Sequence, residues 1–292
     1  MLYTIENDQI RVQASSMGAE LQSIVLKKDE TEYLWQGDPS YWSGRAYNLF
    51  PICGRLWDGQ YTYGGKTYEM RLHGFARKSE MELAHQEADR LVFRLKSDEK
   101  TLAMYPFRFE LTITYALVGA SLMISLKVVN RDDKTMIFAV GGHPGFNVPL
   151  GGEGEFTDCY LEFEQPGHLK AVAMSETCYA TEHHVMLPLQ DGKVMPLRHE
   201  MFDNDALLLT DMGRAVTLKS RKSGRQVRME FPNMKYLGVW HAPRTEAPYV
   251  CIEPWTSLPA LNGWVDELET KRDMEQLPQG EQYENTYVIS IQ

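Results

Sequence analysis

Two long stretches of alternating apolar and polar residues follow each other closely in this chain. Apolar residues occupy every second position from Phe109 to Leu117, and again from Leu122 to Val128. The segment between them, Val118-Gly119-Ala120-Ser121, is typical of a turn. Because side chains alternate between the two faces of a strand, this pattern predicts a hairpin of two long strands with one buried face.

Shorter strand-like runs recur along the chain, and Gly, Pro, Asn and Asp separate most of them. These runs are Ile10–Ala14, Glu20–Leu26, Leu91–Leu95, Tyr160–Phe163, Ala215–Lys219, Gln226–Phe231, Tyr236–His241, Tyr249–Glu253 and Thr286–Ile291. Helical periodicity is convincing only over Trp264–Leu277, where Pro278 and Gly280 would end a helix. Many strands with little helix between them favour an antiparallel sandwich or barrel over a βαβ arrangement. We therefore predict an all-β fold with few short helices.

No internal repeat, low-complexity tract or linker-like stretch divides the 292 residues. A chain of this length buries roughly three quarters of its unfolded surface, so one large core is possible. We expect residues 1–292 to form a single domain.

The formal charge of −10 argues against a nucleic-acid partner, because binding to phosphates needs a clustered basic surface. No apolar run approaches the roughly 18 residues of a membrane helix, so we expect no membrane partner. The amino terminus has neither a basic start nor an apolar stretch, and we expect no secretory signal. Cys53, Cys159, Cys178 and Cys251 are far apart, which favours free thiols and a cytoplasmic protein.

Three ionisable residues stand at the ends of apolar runs, beside residues that shape turns. His73 lies in Leu72-His73-Gly74-Phe75-Ala76-Arg77, His143 follows the apolar run Met136–Val140, and Glu253 ends the run Tyr249–Ile252. Side chains at the ends of strands on a rigid sheet are often functional. Each residue also has a structural interpretation: Glu253 could pair with a buried Arg, and either histidine could bond a backbone carbonyl. The functional alternative is a general base with a raised pKa and histidines that donate protons.

In these segments the sequence resembles the aldose 1-epimerase (galactose mutarotase) family, and it is most similar to the LacX-like branch. The resemblance spans most of the chain, and its pieces occur in the family's order. They are Asn48–Leu56, His73–Arg77, Gly142–Phe146, Asn204–Leu207 and Cys251–Trp255.

The resemblance implies a large antiparallel β-sandwich with a sugar bound in an open cleft. It implies that Glu253 is the general base, His143 the general acid and His73 a contact of the ring oxygen. Arg55 and Asp205 match the residues that hold sugar hydroxyls, although Asp203 lies only two positions from Asp205.

His73 is followed by Gly-Phe-Ala-Arg rather than by two glycines, a variant that the hexose-6-phosphate epimerases share. The substrate could therefore be a 6-phosphorylated hexose, with Arg77 or Lys78 contacting the phosphate. Aromatic faces for the sugar could come from Trp57, Trp240 and Trp255, of which we expect at least one to pack in the core instead.

We thus expect an isomerase acting on a small-molecule sugar, as a monomer or homodimer, with no cofactor and no metal. His183 and His184 are adjacent and would point to opposite faces of a strand, which disfavours a metal site there. Two alternatives remain at this point. One is a carbohydrate-binding module without turnover. The other is a glycoside hydrolase using Asp205 and Glu253, whose carboxyls would need to be about 5–9.5 Å apart.

Overall fold

The computed structural model describes residues 1–164 and 169–292. Strands form most of the regular structure. In chain order they are β1 (Leu2–Glu6), β2 (Ile10–Ser15), β3 (Leu21–Leu26), β4 (Thr31–Glu32), β5 (Ala46–Leu49), β6 (Gln60–Tyr63), β7 (Lys66–Glu69), β8 (Glu82–Gln86), β9 (Arg90–Lys96), β10 (Phe109–Val118), β11 (Ser121–Asn130), β12 (Met136–Phe138), β13 (Gly141–Asn147), β14 (Cys159–Phe163), β15 (Leu169–Met174), β16 (Ala180–Leu187), β17 (Val194–Pro196), β18 (Leu207–Thr210), β19 (Ala215–Ser220), β20 (Gln226–Glu230), β21 (Tyr236–Trp240), β22 (Tyr249–Trp255), β23 (Asp266–Glu267), β24 (Glu275–Leu277) and β25 (Gln282–Ile291).

Helical structure in the described residues is confined to short segments. The α-helix α1 (Glu99–Met104) begins after Asp98, whose side chain accepts a hydrogen bond from the backbone N–H of Thr101. Single 3₁₀ turns occupy Trp57–Gly59, Ala76–Lys78, Leu150–Gly152, Phe156–Asp158 and His199–Phe202. The predicted all-β fold with few short helices is confirmed.

The predicted helix over Trp264–Leu277 is wrong. Asp266–Glu267 pairs in parallel with β6, and Glu275–Leu277 pairs with β12. Between these strands Asp273 adopts a left-handed backbone conformation with φ of 61°, which no α-helix accommodates. Hydrogen bonding to distant strands therefore outweighs the local helical periodicity.

Two large sheets contain most of the strands. One has the order β17-β14-β19-β20-β25-β11-β10-β9-β8, and the other has the order β16-β15-β18-β21-β22-β13-β5. Three small sheets are formed by β1-β2-β3-β4, by β23-β6-β7 and by β12-β24. Both large sheets are antiparallel throughout their described pairs.

The two large sheets pack face to face as a sandwich. The predicted hairpin forms β10 and β11, and its inward positions are buried in alternation along both strands. From β10, the Tyr115 hydroxyl accepts a hydrogen bond of 2.9 Å from Asn48 Nδ2 in β5 of the opposite sheet. On β13, a Cβ atom at Gly142 would lie 2.3 Å from the Tyr287 hydroxyl of β25. Glycine at position 142 therefore allows the two sheets to approach closely.

The shorter strands predicted from the sequence are all present. Their bounds differ from prediction by two residues or fewer, except that β25 begins four residues earlier, at Gln282. All four cysteines are free thiols, as predicted: Cys178 is partly exposed and the other three are buried. In the described part of the chain, no helix combines the length and apolar character needed to cross a bilayer.

Candidate active site

The floor of the candidate site is a row of residues across neighbouring strands of the seven-stranded sheet. His143 on β13 pairs with Tyr47 on β5, and Glu253 on β22 pairs with Gly238 on β21. Since β13 and β22 are neighbours, the two ionisable side chains project from the same face. His143 Nε2 lies 3.3 Å from Glu253 Oε2. The strands therefore bring the predicted acid and base together.

Gly238 keeps space open beside the Glu253 carboxyl group. A Cβ atom at position 238 would lie 3.1 Å from Glu253 Cβ and 3.4 Å from Glu253 Oε2. Any side chain at this position would therefore crowd the carboxyl group, which explains a glycine in the middle of a strand.

A cavity of about 280 Å³ lies over this row. Its volume is near the lower end of the roughly 300–1,000 Å³ that small-molecule pockets occupy. It is lined by all seven residues predicted from the sequence to form the site: Arg55, His73, Arg77, His143, Asp205, Trp240 and Glu253. The aromatic residues Trp42, Tyr47 and Trp255 also line it.

The Glu253 and His143 side chains are nearly inaccessible, at 2% and 8% exposure. Burial raises the pKa of Glu253 well above its ordinary value, and the charge of Asp205 adds to this shift. Burial also lowers the pKa of His143 to about 3. Both shifts favour the uncharged forms, so the proton that the two groups share lies on the carboxyl group rather than on the imidazole.

The contact between His143 and Glu253 leaves both groups available to a ligand. Its 3.3 Å separation exceeds the roughly 2.7–2.9 Å of a charge-assisted hydrogen bond. The other ring nitrogen of His143, Nδ1, is buried without a hydrogen-bond partner among the described residues.

His73 reaches the cavity from a tight turn between β7 and β8. Its backbone has φ of 62°, and a Cβ atom at Gly74 would lie 2.1 Å from the Phe50 carbonyl oxygen, so glycine at position 74 is required sterically. The Gly54 backbone N–H donates to His73 Nδ1 at 3.1 Å. Burial lowers the pKa of His73 well below its ordinary value, with His143 and nearby arginines adding to this shift. A neutral ring that accepts at Nδ1 carries its proton on Nε2, so His73 is a hydrogen-bond donor.

Arg55 and Asp205 form one wall of the cavity. Arg55 Nη2 lies 3.5 Å from Asp205 Oδ2, and both side chains remain partly exposed. Asp205 has φ of 79° and stands just before β18, and this turn brings its carboxylate to the cavity. Asp203 is exposed and lies outside the cavity lining. Asp205 is thus the aspartate placed to contact a ligand.

Arg77 also lines the cavity. Its guanidinium group lies over the Tyr47 ring, 4.9 Å from the ring centroid, and its Nε–H donates to the Leu72 carbonyl at 3.1 Å. Lys78 is exposed and lies outside the cavity lining. Of the two cations predicted as phosphate contacts, only Arg77 is in position to touch a ligand.

The tryptophans divide as expected between the cavity and the core. Trp240 meets the His143 ring edge-on at 5.7 Å, and Trp255 meets the His73 ring at 5.5 Å. Trp57 instead packs against Tyr179 at 4.6 Å, outside the cavity lining.

Trp42 was missed by the sequence reasoning. Its ring stacks on His143 at 4.8 Å with 30° between the planes. Trp35 Nε1 donates to the Trp42 carbonyl at 2.8 Å, and a Cβ atom at Gly44 would lie 2.6 Å from Trp42 Cζ2. The sequence feature that could have indicated Trp42 is the segment Gly37–Gly44, in which aromatic residues stand among the loop-forming residues Gly, Asp, Pro and Ser.

A second, larger groove of about 700 Å³ adjoins the cavity at Pro259. Several of its charged groups are already paired with one another. Lys271 lies 2.9 Å from Asp266, and Lys235 lies 3.2 Å from Asp273. The smaller cavity is the better candidate because it contains the uncommitted pair of His143 and Glu253.

One cluster in the floor has the chemistry of a metal site. The donor atoms of His143, Cys251 and Glu253 all lie within 4.8 Å of one another, and all three residues are buried. His183 and His184 are exposed on β16.

Comparison with known proteins identifies the family. The aldose 1-epimerase family model matches residues 1–290. The plasmid and chromosomal LacX proteins of Lactococcus lactis subsp. lactis are each 35% identical over 272 residues, covering 88% of this chain and 88% of each relative.

Two solved structures share the fold over the whole chain. A galactose mutarotase related enzyme from Lactobacillus acidophilus is 34% identical, with a TM-score of 0.95 and coverage of 100% of this chain and 97% of that chain. A galactose mutarotase-like protein from Lactobacillus casei is 31% identical, with a TM-score of 0.95 and full coverage of both chains. This chain is therefore a member of the aldose 1-epimerase family.

Proposed function

We propose that this protein interconverts the α and β anomers of an aldose by opening and reclosing the sugar ring. A cyclic aldose is a hemiacetal, so opening requires loss of the C1 hydroxyl proton and gain of a proton at the ring oxygen. The reaction thus needs one proton acceptor and one proton donor, held close together. The observation that supports this proposal is the buried pair of His143 and Glu253, 3.3 Å apart on the floor of the cavity.

In the proposed mechanism Glu253 takes the C1 hydroxyl proton and His143 protonates the ring oxygen. The resting pair holds its single proton on the carboxyl group, so this proton must first pass from Glu253 Oε2 to His143 Nε2. The open aldehyde then turns about C1–C2 by roughly half a turn, and the two groups exchange roles as the ring recloses. Each well-placed group typically contributes about 10²–10⁴-fold to the rate.

The remaining cavity residues fit a sugar's hydroxyl groups and apolar faces. The Nε2–H of His73 is a neutral donor suited to the ring oxygen, where an alkoxide would otherwise form. Arg55 offers donors and Asp205 offers acceptors for hydroxyl groups. Trp240 and Trp255 line the same cavity and provide apolar surface for C–H faces.

The test is Glu253→Gln, which keeps the side-chain shape and removes the proton acceptor. We expect anomer exchange, followed by optical rotation of a freshly dissolved α-anomer, to fall by about 10²–10⁴-fold. Binding of the sugar, measured by calorimetry, should persist. Wild-type rates in this variant would show that Glu253 is not the base.

The matched variant His143→Asn removes the donor and should cost a similar factor. An unchanged rate of anomer exchange would indicate that His73, rather than His143, is the general acid. If the unmodified protein binds an aldose but does not accelerate anomer exchange, the protein is instead a carbohydrate-binding module.

A 6-phosphorylated aldose is a second candidate substrate, and Arg77 favours it. Within the described residues its guanidinium group is held by the Tyr47 ring and the Leu72 carbonyl rather than by a carboxylate, so it could pair with a phosphate. Anomer-exchange NMR on galactose, glucose and glucose 6-phosphate separates the two substrates. If the phosphorylated sugar is preferred, Arg77→Met should abolish the preference, whereas Lys78→Met should keep it.

A further inference from the structure

Cys251 is a buried nucleophile that the proposed acid–base mechanism does not use. It stands two residues before Glu253 on β22, so both side chains project from the same face of the sheet. It pairs with Gly145 of β13, and a Cβ atom at that glycine would lie 3.3 Å from Cys251 Sγ. The absence of a side chain at position 145 thus leaves room for the thiol beside the strand that carries His143.

The distance between His143 and Glu253 matches the distance between two ligand atoms in a tetrahedral zinc site. Zinc binds histidine nitrogen and carboxylate oxygen at about 2.0–2.2 Å, which places the two ligand atoms roughly 3.3–3.5 Å apart. His143 Nε2 and Glu253 Oε2 are 3.3 Å apart. A thiolate in the same tetrahedron would lie roughly 3.6 Å from either atom. The three donor atoms already lie within 4.8 Å of one another, so their separations exceed those of a zinc site by roughly 1.2 Å or less.

The charges of this cluster also suit a buried divalent ion. A thiolate and a carboxylate together balance Zn²⁺, and His143 binds as neutral imidazole. The resulting complex has no net charge, which removes the main penalty for placing an ion in a buried site. Nitrogen and sulfur ligands further favour zinc over hard cations such as Mg²⁺.

We propose that His143, Cys251 and Glu253 form a Zn²⁺-binding site whose fourth coordination position faces the sugar cavity. On binding, the thiol proton and the single proton of the His143–Glu253 pair leave to solvent, and no electron transfer occurs. Zinc then occupies both proton-transfer groups, so it inhibits anomer exchange in competition with the sugar. This inhibition rests on the proposed function, whereas metal binding does not.

Binding is tested with Co²⁺ and Zn²⁺ on the full-length protein. Titration of the wild type with Co²⁺ should produce a thiolate-to-cobalt absorption band. Zinc affinity is measured by competition with a chromophoric chelator. Loss of a direct ligand in Cys251→Ser should remove the band and weaken zinc binding by at least about 100-fold, since even outer-shell partners of a metal are worth about 10–100-fold.

Two matched cysteine variants serve as controls. Cys159→Ser changes a buried thiol in the other large sheet, and Cys178→Ser changes the thiol that lines the cavity. Both variants should keep the cobalt band. The proposal is overturned if the wild type gives no thiolate band, or if Cys178→Ser loses the band while Cys251→Ser keeps it.

The wild type alone provides a further test that does not depend on the folding of any variant. An aldose that is a substrate should weaken Zn²⁺ binding, and Zn²⁺ should raise the apparent KM without changing kcat. A zinc affinity that saturating substrate does not change would overturn the proposed location of the metal site in the sugar cavity. A thiolate–cobalt band in a protein that shows no anomer exchange would support the metal site and refute the proposed function.

Discussion

The indole of Trp42 lies nearly parallel to the imidazole of His143, with 4.8 Å between ring centroids and 30° between the planes. The same indole meets the Trp240 ring edge-on at 5.6 Å. His143 Nδ1 has no hydrogen-bond partner among the described residues, although most histidines with a catalytic task are oriented through one. The orientation of this imidazole therefore depends on aromatic packing.

Trp42→Ala should therefore reduce kcat more than it raises KM, because the imidazole loses the ring that holds it. Misplacement of a catalytic group by about 1 Å can cost 10²-fold, and we expect a loss of about 10- to 100-fold. Trp42→Phe should restore most of the rate. Trp57→Phe, which changes a tryptophan outside the cavity, is the control, and kcat and KM are measured by anomer-exchange NMR. Equal rates in Trp42→Ala and Trp42→Phe would contradict a positioning role.

Asp205→Asn and Asp203→Asn make a matched pair of variants two residues apart. Asp205 lines the cavity beside Arg55, whereas Asp203 is exposed outside it. A hydrogen bond to a charged group is worth about 1.5–3 kcal/mol, so Asp205→Asn should weaken sugar binding by about 10- to 100-fold. Calorimetric titration of both variants measures the effect. A larger loss of sugar affinity in Asp203→Asn would contradict the assignment of Asp205 as the aspartate that contacts the sugar.

Gly238→Ala tests the space beside Glu253. The added methyl group would lie 3.1 Å from Glu253 Cβ, so the carboxyl group must shift by a few tenths of an ångström. We expect kcat to fall by about 10-fold with little change in KM, because the shift affects proton transfer more than binding. The thermal unfolding midpoint, measured in parallel, separates this effect from a loss of folded protein. A variant with wild-type kcat would mean that the carboxyl group tolerates displacement.

The pH dependence of kcat/KM follows from the one proton that His143 and Glu253 share. Burial lowers the pKa of His143 to about 3 and raises that of Glu253 well above its ordinary value. As the pH falls through about 3 the pair gains a second proton and loses its acceptor, so the rate decreases. As the pH rises through the elevated pKa of Glu253 the pair loses its only proton, and the rate decreases again. Between these limits the profile should be flat once the spontaneous reaction is subtracted. A rate that increases with pH through an ionisation near 6.5, the ordinary pKa of histidine, would contradict the lowered pKa of His143.

Local sequence patterns were sufficient to predict fewer than half of the 25 strands. The hairpin of β10 and β11 shows period-two burial and β22, which carries Glu253, is buried continuously, and the sequence displays both patterns directly. The strand that carries His143, β13, was not predicted, because its glycines and proline are typical of a turn. The helix predicted over Trp264–Leu277 is absent because this segment forms two short strands, which pair with β6 and β12 far away in the chain. No local pattern encodes such pairings.

The sequence predicted residues that the fold brings to one cavity, but it did not predict the protonation of the buried pair. The five residues to which the resemblance assigned roles, Glu253, His143, His73, Arg55 and Asp205, all line the cavity, whereas Asp203 does not. The location of the shared proton could not be predicted, because it depends on how deeply the pair is buried. Trp42 and Gly238 were missed since their roles arise from a stacking contact and a steric clearance across strands.

The groups proposed to move protons stand on strands, whereas most of those proposed to hold the sugar stand on loops. His143 and Glu253 belong to β13 and β22, and β13 is packed against the opposite sheet through the close approach of Gly142 to Tyr287. Arg55, Asp205 and the turn bearing His73 lie in connections between strands. If these connecting loops were exchanged between two members of the family, substrate preference should therefore change. The acid–base chemistry should not change, because the groups that carry it stand on the strands.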